Sequence, residues 1–271
     1  MDALKRAARA YLPSSVLAAY RRSKIEIPIR LRDAAPDLVD SFRDPSLRLP
    51  PARLRRRVGR TSSRREYVDA GALAASEILR AYEEAAASTR HRRWLDFGCG
   101  PGRIGRHVVG LARCERLVGV DVDPLLIAWA RKHVPAAQFE LIEPMLPMVF
   151  GPAEFDVVYA ASVFTHFSET QQQAWLSELA RVVAPGGLLI ASTHSEHLAD
   201  SRPDLSAGEL ARLACDGFAF GAGRGAFNDN TAFHSRAYLE RTWGVLFRLR
   251  HFQAAGLFRY QDVGVWEVRR G

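Results

Sequence analysis

Between Trp94 and Ser192, short apolar runs alternate with stretches whose apolar residues recur at helical spacing. Trp94–Phe97, Arg116–Val120, Gln138–Ile142, Phe155–Ala161 and Leu188–Ser192 read as strands, rich in β-branched and aromatic residues and punctuated by Gly, Pro and Asp. Between them, Ile104–Leu111, Pro124–His133 and Thr170–Val183 carry helical periodicity, the last stopped by Pro185-Gly186-Gly187. Strands and helices that alternate at this spacing predict an α/β fold, a mostly parallel sheet with helices on both faces. The tail Leu246–Val268 ends in QDVGVWEVRR and predicts antiparallel strands that close the sheet.

Upstream the pattern changes. Leu4, Ala7, Ala8, Tyr11 and Leu12 fall at helical spacing with basic residues between them, which predicts a short amphipathic helix broken near Pro13. Prolines 28, 36, 45, 50 and 51 predict irregular, wrapping chain from Ile25 to Pro51, and Arg64–Ala87 reads as a long helix. A two-part organisation follows: an N-terminal extension over residues 1–66, then an α/β domain over 67–271 with a lid insertion at about 195–238. The insertion holds GFAFGAGRGAFNDN, whose glycines alternate with Phe218, Phe220 and Phe227 as in a flap, a hairpin or an ordinary surface loop.

Charge sharpens that division. The 271 residues sum to +8, yet 17 of the 38 Lys and Arg and only 7 of the 30 Asp and Glu lie in residues 1–66. The extension is basic and the body is close to neutral. Solvated surface, docking of residues 1–60 on anionic lipid or a phosphorylated carrier, and RNA binding through RLRRRVGR (53–60) are all compatible with this charge. Few stacking aromatics accompany it, which ranks nucleic acid last. No apolar run reaches the length of a membrane span or a signal peptide, and Cys99, Cys114 and Cys215 are too scattered for a disulfide framework or a zinc site. A cytoplasmic protein with free thiols is expected.

The chemistry concentrates at WLDFGCGPG, residues 94–102, where a strand ends on an acid and turns through three glycines into a helix. Such a turn brings bare backbone to a nucleotide-like ligand. The dinucleotide fingerprint needs a glycine where Arg103 stands, and Asp96 before the turn suits a cation better than a pyrophosphate. Asp121 follows Asp96 by 25 residues at the end of the second strand, where a carboxylate can accept both ribose hydroxyl protons.

Four stretches together resemble the class I S-adenosylmethionine-dependent methyltransferases, Rossmann-like in fold: WLDFGCGPG, Leu117–Asp121, Phe155–Val158 with Ser162–His166, and Ala184–Gly187. The resemblance covers about residues 90–195. It implies S-adenosylmethionine as cofactor and S-adenosylhomocysteine as product. By position, Asp96 would face the methionine ammonium, Gly98, Cys99 and Gly100 would make room, Asp121 would hold the ribose, Val122 would pack on adenine, and Ala160 would offer a carbonyl. Members of the family often cap the adenine amino group with an Asp after the third strand. Here Ile142 and Glu143 stand in that stretch, so Glu143 or backbone takes the role.

Methyl transfer to a hydroxyl also needs a base, for which histidine is suited near neutral pH. His194, just past the fifth strand, is the leading candidate; His166 is a second, which also suits a loop brace. His197 and His234 are candidates for acceptor binding or for solvent. No cluster has metal-ligand spacing, so metal-independent chemistry is expected. STHSEH (192–197) and QDV (261–263) resemble members encoded beside glycan-assembly enzymes, which implies a sugar or glycan hydroxyl as acceptor. An N- or RNA methyltransferase and a non-catalytic, cofactor-binding regulator are the rival readings.

Overall fold

The computed structural model describes residues 48–59, 63–86, 91–111, 114–144, 146–201, 205–221 and 230–269. The amphipathic helix expected in residues 1–20 and the wrapping chain expected in 25–51 lie outside the described residues, apart from 48–51. The chain divides into two compact units, the first ending at Tyr67 and the second starting at Val68.

In the first unit, α1 (Ala52–Gly59) turns RLRRRVG into a helix. Arg55 is buried and donates from Nη1 to the Pro50 carbonyl at 2.6 Å. Helix α2 (Arg64–Ala85) begins in this unit and continues into the second.

The second unit follows the alternation read from the sequence: β1 (Arg93–Phe97), α3 (Gly105–Leu111), β2 (Arg116–Asp121), α4 (Pro124–His133), β3 (Gln138–Leu141), β4 (Phe155–Ala160), α5 (Glu169–Val182) and β5 (Val183–Ser195). After them come α6 (Ala207–Asp216), β6 (Phe218–Gly221), β7 (Thr231–His234), α7 (Arg236–Thr242), β8 (Phe247–Leu257) and β9 (Gln261–Val268). Strands β3, β2, β1, β4 and β5 lie side by side in that order and run parallel. The order reverses between β1 and β4, the place where such sheets open a ligand crevice. Strand β9 adds antiparallel to β5 and carries β8 on its far edge, the closing pair expected of the tail.

Burial on both faces explains the apolar strands. Leu95, Phe97, Val158 and Leu189 face one core with Trp175 and Leu179 of α5. Trp94, Val157, Tyr159 and Ile190 face the other with Ala74, Ala75 and Ile78 of α2. Local signals fix the helix starts: Asp123 accepts from the Leu125 and Leu126 N–H groups ahead of α4, and Ser168 with Gln171 forms a capping box on α5.

Two boundaries differ from the sequence reading. Strand β5 runs to Ser195, not Ser192. Its tip is gripped on one edge by β9 (His194 opposite Gln261) and, beyond the end of β4, on the other by β7 (His194 beside Phe233). The segment expected as a lid holds helix α6 and the antiparallel β6–β7 pair; residues 222–229 between those strands lie outside the described residues. Among the described residues, no helix is long and apolar enough to cross a membrane.

Candidate active site

The C-terminal ends of β1, β2, β4 and β5 share one edge of the sheet, and every cofactor residue expected from the sequence lies on that edge or on the turns leaving it. After Phe97 the chain folds back at Gly98, Gly100 and Gly102, whose φ angles are +78°, +55° and +74°. Glycine adopts these left-handed values without strain. At Gly98 there is a second reason: a Cβ would run into Cγ2 of Val163, on the loop after β4.

The two acids frame this turn. Asp121 accepts from the Gly100 N–H through Oδ2 at 2.8 Å and from the Asp123 N–H through Oδ1 at 2.9 Å. One carboxylate thereby fixes both the glycine turn and the start of α4. Asp96 is 2% exposed, and its Oδ2 has no hydrogen-bond partner. Burial pushes its carboxyl up to about 7; the nearby Tyr159 hydroxyl acts the other way, and Asp121 adds to the rise. A buried, half-neutral acid of this kind is poised to ionise when a cation arrives. Cys99 is buried behind the turn, and its thiol contacts the Gly100 carbonyl at 3.4 Å.

Val122 and Leu141 keep 41% and 42% of their surface exposed at the ends of β2 and β3, an open apolar surface beside Asp121. Ile142 is buried, its N–H donating to the Asp121 carbonyl at 3.1 Å, while Glu143 is exposed. Ala160 is buried at the end of β4. A small apolar cavity adjoins it, lined by Ile78, Ala161, Leu257 and Val263 among others.

The four histidines separate. His194 sits at the β5 tip with its ring 5.5 Å from that of Phe233 and 6.1 Å from that of Tyr260. His166, in a short 3-10 turn (Phe164–His166), donates from Nδ1 to the Asn230 carbonyl at 2.7 Å, tying the loop after β4 to the start of β7. His197 is exposed, its N–H held by Ser195 Oγ. His234 faces the core rather than an acceptor: it is 1% exposed, and its Nε2 lies 2.9 Å from Gln172 Nε2 and 3.1 Å from Gln172 Oε1. Burial first, and His194 second, lower its pKa to about 3.

Sequence reasoning missed a polar relay beneath His194. Gln261 is buried, and its Oε1 accepts from Ser192 Oγ (2.7 Å) and Ser162 Oγ (3.0 Å), while its Nε2 donates to the Tyr260 hydroxyl (3.3 Å). Ser162 itself has φ +59°. The relay joins the loop after β4 to Tyr260, beside His194. Its one sequence signal was Gln261, a lone amide opening an apolar strand.

Comparison with known proteins agrees with this geometry. Residues 95–191 match the methyltransferase domain family. They belong to the class I S-adenosylmethionine-dependent methyltransferases. A trans-aconitate 2-methyltransferase of Variovorax paradoxus is 30% identical over 127 residues, 46% of each chain. A ubiquinone biosynthesis O-methyltransferase of Bradyrhizobium is 34% identical over 107 residues, 37% of this chain and 39% of that protein. The matched stretches span less than half the length of these relatives. A solved protein of Pyrococcus horikoshii shares the fold at a TM-score of 0.55 and 16% identity, over 79% of this chain and 98% of its own.

The residues present fit the methyltransferase cofactor. Asp96 offers a buried carboxylate to a cation, three of the five residues of the turn carry no side chain, and Asp121 lies beside an open apolar surface.

Proposed function

We propose that the chain is an S-adenosylmethionine-dependent O-methyltransferase whose acceptor is a sugar or glycan hydroxyl. The observation that carries this reading is His194. It extends past the β4 end, on the same edge as Asp96, Asp121 and Ala160, with Phe233 and Tyr260 against its ring. When bound, the cofactor supplies an electrophilic methyl group on a sulfonium. Asp96 balances the cofactor's ammonium, Asp121 accepts from the ribose hydroxyls, and Val122 with Leu141 packs on the base. On the acceptor side, a ring nitrogen of His194 would take the hydroxyl proton and leave the oxygen as the nucleophile. The Tyr260 hydroxyl accepts from Gln261, which leaves its own proton to donate to the acceptor. Among the relatives, the ubiquinone and malonyl-carrier enzymes are named O-methyltransferases, which supports oxygen over nitrogen. The basic segment 1–66 would dock such an acceptor when it rides on an anionic carrier, which liposome sedimentation of the full chain against a chain lacking residues 1–60 checks.

A screen of glycosides and nucleotide sugars, scored by gain of one methyl group, tests the reading. With the acceptor found, His194→Ala is expected to lower kcat by roughly 100- to 10,000-fold while S-adenosylhomocysteine affinity is unchanged. Unchanged turnover removes His194 as the base. Cofactor binding without turnover on any hydroxyl favours a regulator instead.

A further inference from the structure

Asp96 and Tyr159 are directly paired across β1 and β4, so their side chains leave the same face of the sheet. Tyr159 is fully buried. Gly105, opening α3, closes over both: a Cβ there would stand 3.3 Å from Asp96 Oδ2 and 3.6 Å from the Tyr159 hydroxyl. The hydroxyl is near enough to favour the ionised carboxylate. Yet neither it nor Oδ2 has a hydrogen bond of good geometry. Buried polar atoms left unbonded are rare because each forfeits its hydration. A phenylalanine would fill the same space in the core shared with Trp94 and Ile78 and bury no hydroxyl. The hydroxyl is therefore unexplained by packing, and the group it faces is the acid that meets the cofactor.

We propose that Tyr159 is a positioning residue for Asp96: when a cationic amine binds the carboxylate, the Tyr159 hydroxyl donates to the enclosed Oδ2 and holds the acid ionised and oriented. This rests on the methyltransferase reading, which identifies the amine as that of the cofactor. The ligand-free acid, raised to about 7, carries its proton on the acidic side of neutrality. Binding the ammonium expels that proton to solvent. The other groups that bear on Asp96 are Asp121, which opposes ionisation, and Arg103, which favours it. Cys99 and Cys114 act on Tyr159, and α2 contributes Ala74, Ala75 and Ile78, with Tyr82 set behind Trp94 and bonded to His91.

The test is calorimetric titration of the full chain with S-adenosylhomocysteine, in buffers of different ionisation heat, from about pH 6 to about pH 8.5. The difference between buffers counts protons released. Wild type is expected to release close to one proton at the acid end and almost none at the alkaline end. Asp96→Asn should release none. Tyr159→Phe, which keeps the shape of the side chain, should move the release midpoint up by about one pH unit and weaken binding roughly tenfold at neutrality, less at the alkaline end. A merely structural tyrosine would change the melting temperature and leave the midpoint where it was. Tyr159→Phe with wild-type affinity and release profile overturns the proposal. So does a wild-type protein that binds without releasing a proton at the acid end. A wild-type protein that binds no S-adenosylhomocysteine at all overturns the cofactor reading instead.

Discussion

The two halves of the site bend the backbone the same way and spend different residues on it. On the cofactor side the left-handed positions are Gly98, Gly100 and Gly102; on the acceptor side they are Ser162, Phe258 and Arg259. Glycine takes positive φ freely, whereas other residues lose about 1–2 kcal/mol each. On the proposed reading, the cofactor side is thus a relaxed cradle for its ligand. The acceptor side holds strained residues in place with contacts from elsewhere in the domain: the Ser162 N–H on Ser192 Oγ (2.7 Å), the Phe258 N–H on Glu77 Oε2 (2.8 Å) and Arg103 over the Phe258 ring (5.3 Å). Strain retained by such support is a mark of side chains placed for function.

The largest expected effect tests the relaxed side. Gly98→Ala meets two penalties, a left-handed φ and a collision with Val163. Together these should cost about 3 kcal/mol in urea unfolding and abolish measurable S-adenosylhomocysteine binding. Adding Val163→Ala removes the collision but not the φ penalty. The double variant should recover roughly half of the lost stability. No recovery would show that backbone strain alone makes glycine necessary there.

The same contrast explains what the sequence disclosed. The cofactor side is written in contiguous stretches, 94–102 and 117–122, whose residue types and spacing carry the chemistry without reference to the rest of the chain. The mostly parallel sheet followed from strand–helix alternation, and the closing antiparallel strands from the tail, whereas the order of the strands came only with the structure. The acceptor side is assembled from segments far apart in sequence. His234 sits in AFHSRAYLE, a stretch as polar as a surface loop, and its burial is decided by Gln172, 62 residues away on α5. Strand β5 outruns its apolar run because β7 and β9 pair with the polar tip. Tyr159 looked like one more aromatic in a buried strand; its meaning depends on the register that sets it opposite Asp96.

A second, smaller effect follows from Asp96. Its folded carboxyl keeps a proton up to about pH 7, while an unfolded aspartate gives it up near pH 4. Between those values the folded chain binds more protons than the unfolded one, so stability should fall as pH rises from about 4 to about 7 and level off above. Asp96→Asn removes this slope. At about pH 8 the variant should resist urea better than wild type by on the order of 2 kcal/mol, while its S-adenosylhomocysteine affinity drops by at least about tenfold. A variant less stable than wild type at that pH would show that the ligand-free carboxylate is well solvated after all.

The smallest effect lies at the strained turn. Tyr260 donates its N–H to the Leu257 carbonyl at 3.2 Å, with Phe258 at φ +53° and Arg259 at φ +64° between them. That is a mirror-image hairpin turn, for which Asn-Gly is the favoured pair. Replacing Phe258 by Asn and Arg259 by Gly relieves the strain and gives up the Arg103–Phe258 contact, itself worth about 0.5–1 kcal/mol. The net expectation is a gain of about 1 kcal/mol in urea unfolding, with S-adenosylhomocysteine affinity unchanged. If the present residues serve the acceptor, turnover must fall in the same variant that has become more stable. A variant that is both more stable and fully active would mean that the strained pair serves neither the fold nor the acceptor. A less stable one would mean that the packing of the Phe258 ring, with its Arg103 contact, outweighs the backbone cost.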